Sequence, residues 1–156
     1  MLRPFREAEA VTTASWAYAP PFDVYNGDPS NFPDYLAVDE HGYGFYAVID
    51  NEGQPVGFCC FGDEARVSGQ EAVEGIVDLG GGLRPDLLSQ GIATEVFPVI
   101  IEFARMKFAP TYLRTAVASF NKRSTQLCLS AGFTITRTFA GPGGEFQELE
   151  RPAESK

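Results

Sequence analysis

The stretch from Ser89 to Thr94 combines residue types that suit the binding of a diphosphate group. It follows a strand-like run and a turn, and it opens the longest helical pattern of the chain. The start of a helix offers unpaired backbone N–H groups and the positive end of the helix dipole, and both favour a bound anion. Gly91 and Ala93 lack bulky side chains, so a phosphate group can approach the backbone there. Many strand–turn–helix junctions bind nothing, and the pattern alone leaves both interpretations open.

Two short motifs in this region resemble the signatures of the GNAT acetyltransferase superfamily. Leu88-Ser89-Gln90-Gly91-Ile92-Ala93 is similar to the pyrophosphate-binding signature Gln/Arg-x-x-Gly-x-Gly/Ala, and Leu83-Arg84-Pro85 resembles the end of the family's fourth strand. The stretch from Asn121 to Phe133 resembles the second signature, Asn-x-x-Ala/Ser-x-x-Leu-Tyr-x-x-x-Gly-Phe. The motifs occur in the family's order and at its separation. The chain departs from them at Leu88, where the family usually has Gln or Arg, and at Cys128, where it often has Tyr.

The resemblance implies acetyl-CoA as the cosubstrate and a way of holding it. The fourth and fifth strands of the family fold splay apart, and the pantetheine arm lies between them. Backbone groups of Gly81, Gly82 and Leu83 would pair with the amides of that arm, and a strand N–H would polarise the thioester carbonyl. The amides that would hold the pyrophosphate belong to Ser89, Gln90, Gly91, Ile92, Ala93 and Thr94. Asn121 would hold a cofactor amide or an ordered water, and it also suits a helix N-cap.

Two side chains are predicted to move protons, and each has a structural alternative. An amine must be neutral when it attacks, so a carboxylate or a water chain should accept its proton. Asp78 is the candidate base and Glu74 the second choice, although an ordinary polar strand residue is an equal interpretation of Asp78. Cys128 stands where the family often has the tyrosine that protonates the departing CoA thiolate. A small, buried apolar residue is the favoured interpretation of Cys128.

Hydrophobic periodicity and turn residues predict the elements that position these residues. The apolar residues of Gly91–Phe108 recur at helical spacing, and Pro98 is predicted to bend or locally break that helix. The predicted strands and helices are Leu2–Phe5, Glu7–Ala17, Pro33–Leu36, Gly44–Asp50, Pro55–Phe61, Gly75–Leu79, Gly91–Phe108, Tyr112–Ser119, Lys122–Ala131, Thr134–Phe139 and Glu145–Leu149. The resemblance implies that they form a mixed α/β fold of the GNAT type, with a central, mostly antiparallel sheet flanked by helices. We expect a single domain over residues 1–156.

Composition excludes several classes of protein. No apolar run is long enough to span a bilayer and the first residues lack a signal-peptide core, so we expect a cytoplasmic protein without a membrane partner. The net charge of −9 repels nucleic-acid phosphates and mildly favours a cationic substrate, although solubility alone explains it. A bound phosphate must therefore be held by backbone amides or by a local basic group such as Arg84 or Arg123. Three cysteines and one histidine supply neither a metal-ligand set nor a disulfide framework.

These observations predict an N-acetyltransferase that moves the acetyl group of acetyl-CoA directly onto a primary amine of a small molecule or a peptide. A non-catalytic acyl-CoA-binding module is the alternative, because the tyrosine of the second signature is missing and the base is uncertain. Aromatic residues of the early segment would wall an acceptor pocket or pack against the sheet: Trp16, Tyr18, Phe22, Tyr25 and Tyr35. The sequence leaves the acceptor and the oligomeric state open, a homodimer included.

Overall fold

The computed structural model describes residues 1–154, which form a mixed α/β fold with one seven-stranded sheet. The strands are β1 (Leu2–Arg3), β2 (Gly44–Ile49), β3 (Pro55–Phe61), β4 (Ile76–Leu83), β5 (Tyr112–Ala118), β6 (Thr134–Gly141) and β7 (Gly144–Pro152). The α-helices are α1 (Glu7–Ala14), α2 (Ile92–Phe108) and α3 (Lys122–Ser130). The strand order is β1-β2-β3-β4-β5-β7-β6, in which β4 and β5 are parallel and β1–β2, β5–β7 and β6–β7 are antiparallel. The predicted fold class is confirmed.

The chain forms two compact units, each built from two separate stretches. Unit 1 consists of Met1–Cys60 and Gly81–Val99, and unit 2 consists of Phe61–Gly80 and Ile100–Lys156. Strands β3 and β4 and helix α2 each contribute residues to both units. The single domain over residues 1–156 stays a prediction.

Aromatic side chains form the core of unit 1. The buried side chains of this core are Phe5, Ala10, Ala47 and Ile49, and the aromatic residues packed against them are Phe32, Tyr35, Phe45 and Phe58. The ring centroid of Tyr35 lies 4.6 Å from that of Phe45, 5.4 Å from that of Phe5 and 5.8 Å from that of Phe58. Aromatic pairs at such distances contribute about 0.5–1.5 kcal/mol beyond the area that they bury. Tyr35, predicted to wall an acceptor pocket or to pack against the sheet, is therefore part of this core.

Strands β3 and β4 approach each other so closely in unit 1 that glycine is required on both. A Cβ atom at Gly81 would lie 2.5 Å from the carbonyl oxygen of Phe58, and one at Gly57 would lie 2.7 Å from the carbonyl oxygen of Gly82. A Cβ atom at Gly82 would lie 2.9 Å from the ring of Phe58. The glycine run thus continues β4 to Leu83, where the sequence predicted that the strand ends at Leu79. The predicted strand was too short because consecutive glycines are more typical of turns than of strands.

Strand β7 lies between β5 and β6 in unit 2. Its ladder with β5 runs from Tyr112↔Pro152 to Ala118↔Phe146, and its ladder with β6 closes at Gly141↔Gly144. The ring of Phe61 packs against those of Phe103 and Phe108, with centroid distances of 5.6 and 5.3 Å. Other buried apolar side chains of this unit are Val77, Leu79, Ile100, Ile101, Ala104, Leu113, Val117, Ala118, Cys128, Phe133, Leu149 and Ala153. Unit 2 therefore has an apolar core of its own.

Helix α2 is continuous from Ile92 to Phe108 and includes Pro98. The predicted helix is confirmed, and the helix has no break at Pro98. Proline removes only the bond to the carbonyl of Thr94, near the start of the helix, and its ring is exposed. Within residues 1–154, neither α2 nor any other helix is both long and apolar enough to cross a membrane.

The approach of β3 and β4 predicts that Gly81→Ala destabilises the protein. The new methyl group would meet a backbone oxygen, so the two strands must separate, at a cost of about 1–3 kcal/mol of unfolding free energy. Gly27→Ala is the matched control, because a Cβ atom there would meet its nearest atom at an ordinary 3.4 Å. Urea unfolding of both variants measures the difference, and equal stabilities would contradict the close approach.

Candidate active site

In unit 1, strand β4 leads through a short turn to the start of α2. A 3-10 turn spans Pro85–Leu87, and α2 begins at Ile92. Ser89 and Gly91 have positive φ angles of 67° and 77°, which turn the chain sharply just before the helix. A Cβ atom at Gly91 would find nothing within 4 Å, and the residue is exposed. The backbone at the helix start is therefore accessible to an external group.

Hydrogen bonds within this segment define its shape. The Thr94 N–H and hydroxyl both donate to the carbonyl oxygen of Gly91, at 3.2 and 2.6 Å. The Gln90 side-chain amide donates to the carbonyl oxygen of Asp86 at 2.7 Å. The first N–H groups of a helix have no partner within that helix, so those of α2 point out of its start. The segment can present these donors to an anion.

Arg84 is the cationic side chain nearest in sequence to this helix start, and its guanidinium group is already bonded. It donates to both carboxylate oxygens of Asp86, at 2.6 and 3.2 Å, and to the carbonyl oxygen of Pro55 at 3.1 Å. The hydrogen bond from Arg84 lowers the pKa of Asp86, so this carboxylate is ionised at neutral pH. The pair is close to neutral overall. An anion at the helix start would therefore be held mainly by backbone N–H groups and the helix dipole.

The end of β4 carries backbone groups that the sequence predicts for cosubstrate binding. The Arg84 N–H donates to the carbonyl oxygen of Val56 in β3, at 2.9 Å. The Tyr18 hydroxyl donates to the carbonyl oxygen of Leu83 at 2.7 Å. Burial raises the pKa of Tyr18 to about 12, so the hydroxyl keeps its proton at neutral pH. Tyr18 was predicted as a pocket or packing residue, and the structure adds that it hydrogen-bonds to the strand of the glycine run.

Asp78 is buried in unit 2 and bonded to two arginines. Its side chain is 1% exposed, and its oxygens accept from Arg114 Nε at 2.5 Å, Arg114 Nη2 at 3.0 Å and Arg66 Nη1 at 2.9 Å. Arg66 also pairs with Asp63. Proton transfer to Asp78 would break these ion pairs inside the protein, where unpaired charge is costly. The predicted role as a base stays a prediction, and the geometry favours the structural interpretation.

A second buried carboxylate, that of Glu148, lies beside this cluster. Burial alone would raise its pKa, but hydrogen bonds from Gln70 and Arg137 lower it below the usual value. The donors are Gln70 Nε2 at 3.0 Å and Arg137 Nε at 3.0 Å, and Arg114 Nη1 lies 3.7 Å away. A cavity of about 430 Å³ is lined by Gly69, Gln70, Glu71, Val73, Arg114, Arg137 and Glu148.

The sequence did not predict that these buried charged residues pair with one another. The one usable signal was charge inside otherwise apolar strand patterns, as in Leu113-Arg114-Thr115, because a charge at such a position needs a partner. That signal identifies the residue that needs a partner but not the partner. Asp78 and Arg114 are separated by 35 intervening residues and meet only through the β4–β5 register.

The two candidate site residues of the second motif, Asn121 and Cys128, lie in unit 2, Asn121 just before α3 and Cys128 within it. The Asn121 side-chain oxygen accepts from the Ser124 N–H at 3.1 Å, so Asn121 is the N-cap of α3, as one of its two interpretations predicted. Cys128 is 4% exposed, and burial raises the pKa of its thiol to about 12. A thiol with so high a pKa is a weak acid. Packing, the favoured interpretation of Cys128, agrees with this environment.

The predicted site residues divide between the two units. Gly81, Gly82, Leu83 and the stretch Ser89–Thr94 belong to unit 1, and they lie on consecutive elements of one chain segment. Asp78, Asn121 and Cys128 belong to unit 2. Within residues 1–154, no group of three or more His, Cys, Asp or Glu side chains is arranged to hold a metal ion.

Comparison with known families identifies an acetyltransferase family. The family model described as Acetyltransferase (GNAT) domain matches residues 1–134, which is most of the chain. A comparison with curated proteins gives no match.

Solved structures share the fold at low sequence identity. The aminoglycoside acetyltransferase AAC(6')-Ib, in complex with coenzyme A and kanamycin, is 18% identical with a TM-score of 0.76, over 97% of this chain and 94% of that chain. A spermidine N-acetyltransferase chimera, made from SpeG of Vibrio cholerae and hSSAT, is 10% identical with a TM-score of 0.76, over 98% and 95%. The yncA protein from Salmonella typhimurium, solved with its cofactor acetyl-CoA, is 19% identical with a TM-score of 0.69, over 100% and 95%.

The double ion pair predicts that Asp78→Asn is strongly destabilising. The substitution leaves the buried Arg114 with only Glu148, 3.7 Å away, and Arg66 with only the exposed Asp63, and breaking a buried pair in this way costs about 3–5 kcal/mol. Glu74→Gln is the control, because Glu74 is exposed, and we expect no change in its stability. Urea unfolding measures both, and an Asp78→Asn protein of unchanged stability would show that the ion pairs contribute little.

Proposed function

Because the chain belongs to the GNAT acetyltransferase family, we propose that it transfers the acetyl group of acetyl-CoA to a primary amine of a small molecule or a peptide. The observation that carries this proposal is the exposed helix start at Ser89–Thr94. It follows directly on a strand end whose backbone groups are suited to pair with an extended ligand. This combination fits a ligand with a diphosphate at one end and an amide-containing arm at the other.

The cosubstrate would be bound mainly by backbone groups. The N–H groups of Ser89–Ala93 hold the pyrophosphate, since that of Thr94 already donates to the carbonyl oxygen of Gly91, and Gly91 leaves room for the ligand. The amides of the pantetheine arm pair with the end of β4, at Gly81, Gly82 and Leu83. The departure from the family at Leu88 removes one polar side chain from the pyrophosphate loop but none of these backbone donors.

The reaction proceeds by direct attack of the amine on the thioester. The neutral amine nitrogen forms a bond to the acetyl carbonyl carbon, and the electron pair of the carbonyl moves to its oxygen. A main-chain N–H of the glycine run stabilises the resulting oxyanion. The carbon–sulfur bond then breaks, and the CoA thiolate leaves and takes up a proton. The nitrogen loses a proton, and the products are the acetylated amine and CoA.

The proton released by the amine needs an acceptor, and we propose that water accepts it. Asp78 is held by two arginines and is 1% exposed, which disfavours it as the base that takes the amine proton. The pKa of Cys128, about 12, disfavours it as the acid that protonates the thiolate. A chain of ordered water molecules removes the amine proton without a dedicated carboxylate. The CoA sulfur can leave as a thiolate without a protein acid, since thiols are acidic enough to exist as anions near neutral pH.

The charge distribution supports a cationic acceptor. Between Arg6 and Arg66 the chain has eleven Asp and Glu residues and no Lys or Arg, and this stretch includes the aromatic residues of the early segment. Negative potential raises the local concentration of cations. The fold neighbours named above include an enzyme solved with kanamycin and a spermidine acetyltransferase. We therefore propose a cationic, small-molecule amine as the preferred acceptor, acetylated in the cytoplasm.

A non-catalytic acyl-CoA-binding module is the second candidate. It is favoured by the environments of Asp78 and Cys128, neither of which provides an available acid or base. Incubation with acetyl-CoA and a panel of amines separates the two candidates, with thiol release as the readout. The panel contains spermidine, kanamycin and a peptide with a free N-terminus. Release above background with the cationic amines supports the enzyme, whereas acetyl-CoA binding without release from any member supports the module.

The pyrophosphate position predicts that Gly91→Glu abolishes CoA binding. The carboxylate would stand where the diphosphate binds, and like charges repel. Gly91→Ala is the matched control, because it introduces the same strain at a φ of 77° without charge or bulk. Isothermal titration with CoA compares the two, and the thermal midpoint confirms folding. A Gly91→Glu protein that binds CoA like Gly91→Ala would remove the site from this helix start.

The buried thiol predicts that Cys128→Ser and Cys128→Ala change kcat by less than about threefold. A lost general acid would lower the rate by about a hundredfold or more. Initial rates are normalised to the folded fraction, because the smaller side chains loosen packing in unit 2. A large loss of kcat in well-folded Cys128→Ala would assign the proton transfer to this thiol.

A further inference from the structure

The direction of the Leu83 carbonyl follows from one hydrogen bond. In a trans peptide the carbonyl of one residue and the N–H of the next point in opposite directions. The Arg84 N–H points at β3, where it bonds to the Val56 carbonyl oxygen at 2.9 Å. The Leu83 carbonyl therefore points away from β3, along the edge of β4 that the proposed function assigns to the pantetheine arm.

That carbonyl already has a donor within the chain. The Tyr18 hydroxyl donates to it at 2.7 Å, across 65 residues of sequence. Gly82 lies beside this hydrogen bond: a Cβ atom at this position would be at an ordinary contact distance of 3.5 Å from the Tyr18 oxygen and only 2.9 Å from the ring of Phe58. The Tyr18 backbone is fixed as well, because its N–H donates to Asn26 Oδ1 at 2.6 Å. The phenol is thus held at one particular acceptor by contacts on both sides.

We infer that the Tyr18 hydroxyl occupies the place of a pantetheine amide N–H on the Leu83 carbonyl, and that CoA must displace it in order to bind. The inference rests on the proposed function, because it assumes that the arm pairs with the end of β4. A phenol O–H and a secondary amide N–H are both single donors to a carbonyl oxygen, with similar bond lengths. Displacement therefore exchanges one hydrogen bond for another, and Tyr18 lowers the affinity for CoA by the strength of the bond that is lost.

The exchange predicts a gain in affinity from a conservative substitution. Tyr18→Phe keeps the ring and its packing but removes the competing donor. We expect the Kd for CoA to fall about three- to tenfold, the effect of one net hydrogen bond. A residue that merely supports the site would give the opposite sign, because its loss would weaken binding. The direction of the change is therefore diagnostic.

Titration with two ligands shows which part of CoA competes with the Tyr18 hydroxyl. Isothermal titration is carried out with CoA and with the nucleotide half of CoA, which carries the phosphates and lacks the pantetheine arm. Tyr18→Phe should bind CoA more tightly than the wild type and the nucleotide half equally well. Tyr112→Phe is the control for loss of a tyrosine hydroxyl, because Tyr112 is 43% exposed, and its Kd should equal that of the wild type.

The wild-type protein offers a second readout that needs no variant. Trp16 is the single tryptophan of the chain, two residues before Tyr18, and its ring lies 6.5 Å from that of Phe58. Displacement of Tyr18 should change Trp16 emission on titration with CoA but not with the nucleotide half.

Several outcomes overturn the inference. An unchanged or raised Kd of Tyr18→Phe for CoA would do so, as would an equal gain for the nucleotide half or constant Trp16 emission at saturating CoA. If the wild-type protein binds no CoA, the proposed function fails and the inference fails with it. CoA binding by the wild type without an effect of Tyr18 leaves the proposed function standing and removes only the role of Tyr18.

Discussion

The ion pair between Asp78 and Arg114 is the constraint on which the arrangement of unit 2 depends. The two residues face each other at the last pair of the β4–β5 ladder, and both side chains are at least 94% buried. Burial alone would lower the pKa of Arg114, but the hydrogen bond and charge of Asp78 raise it above its ordinary value. A slip of β4 by one residue would turn Asp78 to the other face of the sheet and leave Arg114 buried without its partner. The pair therefore favours one register, and the register sets where the glycine run begins.

The charged cluster also fastens the segment between β3 and β4. Arg114 donates to the Glu71 carbonyl at 2.6 Å, and Arg137 donates to the Gly69 carbonyl at 3.1 Å. Gln70 bonds to Glu148, and Arg66 bonds to Asp78. Side chains of β4, β5, β6 and β7 thus hold one loop by charge-assisted bonds, which are stronger than neutral ones. This irregular segment has no strand-to-strand hydrogen bonds of its own, and the side-chain bonds hold it in place instead.

Local patterns in the sequence predicted most of the elements, and long-range contacts account for what they missed. The apolar stripe of α2 is readable because helical periodicity is a local property, and Asn121 is readable as an N-cap for the same reason. Local patterns did not predict the extension of β4 through its glycines, which only the family resemblance of Leu83-Arg84-Pro85 implied, because those glycines are required by the backbone of β3 and not by their neighbours in sequence. The partners of Asp78 were hidden in the same way, since tertiary pairing alone brings them together.

The exposed helix start at Ser89–Thr94 could be predicted because its shape depends on its own backbone, whereas its binding of a diphosphate stays a prediction. Small residues before an apolar helical pattern indicate such a start within a few positions. Tyr18 is the contrasting case: its residue type indicated a pocket or packing role, but its hydrogen bond to Leu83 depends on the fold.

The position of β7 between β5 and β6 has a consequence during synthesis of the chain. Both neighbours of β7 precede it in sequence, so each leaves the ribosome with an open edge that Gly144–Pro152 covers only later. Unpaired strand edges are templates for intermolecular pairing, and partly made chains therefore pass through a stage in which self-association competes with folding. The two-residue reversal at Pro142-Gly143 shortens that stage, because it delivers β7 to β6 as soon as both have emerged.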